Sequence, residues 1–128
     1  MNRQEAYQYY GGIADIFEYG NESDAECLPA ARALIRQTET ETDPDILEMI
    51  FHALHMLVTC RKTAHLLDFS QIADNWQRFD AMSLTYLPEI LAETGDLRFA
   101  PLIRQIHEAY PQIEISGALD TLSDRANS

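Results

Sequence analysis

Apolar residues recur along this chain at steps of three and four, and nowhere do they alternate in the two-residue rhythm of a half-buried strand. The pattern predicts an all-α protein. From Arg3 to Tyr19, the residues Ala6, Tyr10, Ile13, Ala14 and Phe17 fall on one side of a helix. Gly11-Gly12 should weaken or bend its middle, and Gly20-Asn21 should stop it. Ser23 or Asp24 caps a second helix with Cys27, Leu28, Ala31, Leu34 and Ile35 at core spacing, fading into the polar run Thr38 to Thr42. Asp43-Pro44 opens a third, with an acceptor side chain at the cap and proline at the first helical position, where its missing N–H costs nothing.

A fourth helix spans Thr63 to Trp76, with Asp68-Phe69-Ser70 a candidate interruption. A fifth runs from Asp80 to Thr94 and ends at Gly95, whose lack of a Cβ permits the left-handed conformation that closes many helices. Asp96 caps a sixth through Ala109, and Tyr110-Pro111 opens a seventh to about Leu122, leaving Ser123 to Ser128 as a frayed end.

Short helices joined by short loops predict antiparallel pairs, and the chain matches itself. Asp24, Pro29 and Arg32 stand in the same relative positions as Asp96, Pro101 and Arg104, an offset of 72 residues from position 24 to position 96, or two units of 36. The second helix of each pair also overlays. Ala53 to Thr59 falls on Leu87 to Glu93 and on Ala118 to Asp124, with two apolar residues, a polar one and, in the first two copies, a further apolar pair.

These segments resemble HEAT-type repeats, in which a helix pair ends in a tight Gly-Asp turn and the next helix carries a proline; residues 91 to 103 carry the resemblance most specifically. The resemblance implies an α-solenoid of three pairs, near 23–60, 63–94 and 96–124, preceded by one N-terminal helix. The middle pair departs from it, with His65 where proline falls and Asp68 where arginine falls, and an irregular bundle remains the alternative arrangement.

The polar positions of the third helix, Asp45, Glu48, His52, His55 and Thr59, step by three and four and so form one face. Under the overlay they map to Met82, Tyr86, Glu89 and Glu93 in the fifth helix and to Gly117, Asp120 and Asp124 in the seventh. Second helices of HEAT-like pairs line a concave surface. The resemblance therefore implies one inner face bearing Asp45, Glu48, Glu89, Glu93, Asp120 and Asp124, with His52, His55 and Tyr86 among them. Aromatics amid charge are characteristic of protein-binding surfaces. A solvated face with no partner is the alternative.

Composition narrows the picture further. A chain of 128 residues has room for one domain with one core, and 46% apolar with 23% charged residues is an ordinary globular balance. Ile46 to Val58, the richest apolar segment, is interrupted by Glu48, His52 and His55, too short and too polar for a bilayer. The first residues, Met1 to Glu5, lack the basic and apolar regions of a signal peptide, so a cytosolic setting is expected. Cys27 and Cys60, isolated and without CxxC spacing, read as buried reduced thiols. A formal net charge of -12 opposes direct binding of nucleic acid or of anionic membranes and favours a basic protein partner met through electrostatic steering, with simple solubility as the alternative reading of the same charge.

Candidate chemistry is sparse. Glu48, His52 and His55 can project from one helical face, yet a carboxylate and two imidazoles form neither an HExxH motif nor half of a matched di-iron pair, and no metal or cofactor is expected. Cys60 or Ser70 with His65 lacks any nucleophile elbow or oxyanion loop, and Gly11-Gly12 lies within a helical pattern instead of after a strand. Trp76, Phe79 and Tyr86 read first as core aromatics. A small, acidic, HEAT-like domain of this kind resembles immunity proteins of contact-dependent growth inhibition systems, which neutralise bacterial toxins, many of them basic nucleases. The resemblance implies a non-enzymatic inhibitor that occludes a toxin's substrate face. A general HEAT-like adaptor and a metal-binding enzyme subunit using His52 and His55 are the alternatives.

Overall fold

The first helices begin where side chains in the sequence satisfy backbone amides that no helical carbonyl can reach. The computed structural model describes residues 1–128 and contains eight α-helices, three short 3-10 turns and no strand. α1 (Arg3–Tyr19) starts with the Asn2 side chain accepting from Glu5 N at 2.8 Å. α2 (Asp24–Thr40) starts with a reciprocal capping box between Ser23 and Glu26, each side chain accepting from the other's amide at 3.1 Å. α3 (Pro44–Cys60) starts at Asp43, as its Asp-Pro signal predicts.

α3 is the centre of the core. Eight of its residues are buried, among them Ile50, Phe51, Leu54 and Leu57, none of which exposes any surface. Each such side chain contributes about 1.5–3 kcal/mol by leaving water. α3 packs against α1, α2, α5 (Ala81–Leu84) and α6 (Leu87–Ala92). α2 packs also against α4 (Ser70–Asp74), and α6 packs against α7 (Ala100–Ala109) and α8 (Ser116–Ala126). Contacts thus run from α1 to α3 to α6 to α8 in one row. No helix is long and apolar enough to cross a membrane.

Two arginines tie helix ends together. The Arg61 guanidinium, whose side chain is 10% exposed, donates to the carbonyls of Ile16, Phe17, Gly20 and Glu22 and lies 3.6 Å from Asp24. It thereby satisfies the Phe17 carbonyl, which no helical N–H reaches, and reinforces Ile16, which already accepts from Gly20 N. Arg78 does the same for α2, donating to the carbonyls of Thr38 and Glu41.

α1 runs unbroken through Gly11-Gly12. Several later expectations need correction. The expected fourth helix is interrupted at the anticipated Asp68-Phe69-Ser70, where the Asp68 carboxylate accepts from Ser70 N at 2.9 Å, but it is further reduced to 3-10 turns at Ala64–Leu66 and Trp76–Arg78 around the short α4. The expected fifth helix is split into α5 and α6 by Pro88, which has no N–H to offer the carbonyl of Leu84. The sixth opens with a 3-10 turn, Leu97–Phe99, before α7. The last begins at Ser116 and not at Tyr110-Pro111: Ile113 and Ile115 are drawn into the core, and Glu114 accepts from Ile115 N and Ser116 N. It runs on to Ala126, so most of the expected fray is helical, held by Arg125 on Glu93. Gly95 does take a positive φ of 71°, and a Cβ there would stand 3.0 Å from the Arg125 backbone. Cys27 is buried, and burial pushes its thiol up from the ordinary value, but Cys60 at the end of α3 is exposed.

A candidate partner-binding face

Polar residues of α1, α3 and the α5–α6 junction meet around one groove, and a separate cleft lies between α6 and α8. α3 sets the centre between them. Its core residues Ile50, Leu54 and Leu57 point inward, which turns Glu48, His52 and His55 outward. Tyr86 joins them from the junction that Pro88 creates. Its ring lies 5.5 Å from the His55 ring and 5.9 Å, edge-on, from that of His52. His55 Nε2 lies 2.9 Å from Glu89 Oε2, linking α3 to α6. Partial burial raises the Tyr86 phenol above its ordinary value, and the Glu48 carboxylate raises it further.

On one side of this centre a groove of about 740 Å³ runs along the seam where α1 packs on α3. Tyr7, Gly11, Gly12 and Asp15 line its α1 wall, and Asp45, Glu48 and His52 its α3 wall, with Tyr86 behind. Asp45 is held by Arg3, whose guanidinium lies 3.1 Å from both Asp43 and Asp45. The Arg3 hydrogen bond holds the Asp43 carboxyl below its ordinary value. Asp15 and Glu48 form no ion pair. On the other side a smaller cleft of about 240 Å³ lies between α6 and α8, lined by Glu89, Glu114, Gly117 and Thr121. Asp120 and Asp124 are exposed on α8, on the three- and four-step stripe that starts at Gly117.

Of the residues singled out from sequence, the structure brings His52, His55, Tyr86, Glu89 and Glu48 together and sets Asp45 at the far end of the same groove. Glu93 differs. Its side chain is only 13% exposed and lies 3.3 Å from Arg125, so it braces α6 against α8 instead of facing outward. The α1 wall was missed altogether. The repeat overlay begins after α1, and the one signal there was the costly glycine pair within a helical pattern.

No three or more His, Cys, Asp and Glu side chains converge on a point that could hold a metal ion. Cys60 and His65 both border a cavity of about 610 Å³ at the C-terminal ends of α3, α6 and α8, without a hydrogen bond between them. The cations there, Arg61, Lys62 and Arg125, stand where helix C-termini favour positive charge. No family model matches the chain, and no curated protein or solved structure matches it either.

Proposed function

We propose that this protein is a protein-binding inhibitor, an immunity protein that neutralises a basic, nuclease-type toxin domain by covering its substrate-binding face. The observation that carries the reading is the acidic face itself. Tyr86, His52 and His55 form an aromatic centre, Asp15 and Glu48 line the groove beside it and Glu89 meets His55, in a chain of net charge -12. Aromatic anchors ringed by charge give a binding surface a desolvated centre and a steering rim. Such a face offers a toxin's phosphate-binding cations the partners that nucleic acid otherwise supplies.

The architecture supports the same reading. Contacts running from α1 to α3 to α6 to α8 fit a HEAT-like stack of three pairs behind one N-terminal helix, and a stacked row is how such proteins build extended binding surfaces. The test is co-expression with a basic toxin domain encoded beside this gene. Protection, and a complex that weakens with salt, is the expected result. A neighbourhood without a toxin, with no toxin captured by pull-down, overturns the immunity reading in favour of an adaptor.

A further inference from the structure

We infer that the groove between α1 and α3 docks an arginine-bearing segment of the partner, and that Gly11 and Gly12 are present to admit it. This rests on the reading above, which supplies a basic partner, and adds where and how one of its cations is taken. After proline, glycine is the poorest residue for a helix interior. Two in succession sit in mid-α1 with ordinary negative φ, and a Cβ on either would meet nothing within 4 Å. Backbone conformation and internal packing therefore leave this pair unexplained. Gly95 needs its positive φ, and Gly20 would set a Cβ 2.6 Å from the Ile16 carbonyl oxygen. What glycine does at positions 11 and 12 is lower the groove wall so that a second backbone can lie close to α1.

The rest of the groove selects the charge and shape of what enters. Asp15 and Glu48 have no cation of their own, while Asp45 already holds Arg3. Tyr7, 69% exposed, and the half-buried Tyr86 line the same groove, with Tyr86 near enough to Glu48 to feel its charge. A guanidinium pairs with a carboxylate through two parallel N–H groups and stacks on an aromatic ring, whereas an ammonium is a point charge without a plane to stack. A volume of about 740 Å³ also leaves room for the backbone that carries the side chain. A second copy of this chain, itself at -12, is repelled.

The test is a nuclear magnetic resonance titration of the full chain with argininamide, and with lysinamide for comparison. Shifts centred on Tyr7, Gly11, Gly12 and Glu48 are expected, with lysinamide about threefold weaker. Gly11→Ala with Gly12→Ala, and separately Asp15→Asn with Glu48→Gln, should each weaken argininamide by about fivefold. The alanine pair favours the helix, so its loss of binding is not a loss of folding. Shifts centred on Glu89, Asp120 and Asp124, or binding indifferent to the alanine pair, overturn the groove assignment. They leave the inhibitor reading to its own co-expression test. Groove-centred binding of argininamide without protection against any toxin sinks the inhibitor reading instead.

Discussion

His55 Nε2 and Glu89 Oε2 stand 2.9 Å apart, a link between α3 and α6 that fixes two elements of the candidate face against each other. A charge reversal that separates location from bulk acidity can be built on it. Glu48→Lys with Glu89→Lys should slow association with a basic toxin domain by about tenfold or more and lose protection. Asp74→Lys with Glu108→Lys, on α4 and α7 and free of ion pairs, changes net charge equally and should leave both readouts near wild type. Equal behaviour of the two pairs, read by stopped-flow mixing and co-expression, would defeat the assignment of the face.

The glycines make an opposite kind of variant. Since both have negative φ and open space beyond the Cα, Gly11→Ala and Gly12→Ala should each stabilise the fold by roughly 0.5–1 kcal/mol. Denaturant midpoints would show it. A drop in stability at either position would mean that the helix needs glycine for a packing reason.

Leu91 and Ile103 are fully buried, on α6 and α7. Truncating either to alanine should cost roughly 2–5 kcal/mol in a cooperative unfolding transition. A loss below about half a kcal/mol would contradict their place in a close-packed core.

Acid should unfold the protein through its paired carboxylates. Ser23 hydrogen bonds hold Glu26 below its ordinary 4.5, and hydrogen bonds from Arg3 and Arg98 hold Asp43 and Asp96 below 3.8. A folded value below the unfolded one means stability that is fully present above the ordinary value and lost as pH falls through the lowered one. Melting temperature should therefore fall below about pH 4, and Glu26→Gln should remove the share that belongs to Glu26. A profile indifferent to that substitution would contradict the capping box.

The starts of α2 and α3 were legible because they are written locally: Ser23 and Asp43-Pro44 act within one turn of where they stand, whereas the Asn2 cap of α1 was not singled out. The interruptions were less so. Pro88 carries a split that the apolar spacing of Leu84, Leu87 and Leu91 conceals, and the late start of α8 depends on Ile113 and Ile115 preferring the core over helix continuation. The face was legible on α3, where periodicity alone turns Glu48, His52 and His55 outward. It misled at Glu93, since only the fold brings Arg125 beside it. The α1 wall was invisible to a repeat overlay because α1 has no counterpart in the repeat.

α1 is fastened differently at its two ends. At Arg61 the guanidinium is nearly buried and meets four carbonyls, while at Arg3 the side chain is 67% exposed and screened by any added salt. The Arg3 end of α1 is thus the salt-sensitive end. Hydrogen exchange should quicken with salt at residues 4–8 and not at residues 14–18, and uniform change would show that no such asymmetry exists. Salt therefore loosens the Arg3 end of the groove first, while the buried Ala6, Tyr10, Ala14 and Phe17 keep α1 seated on α3.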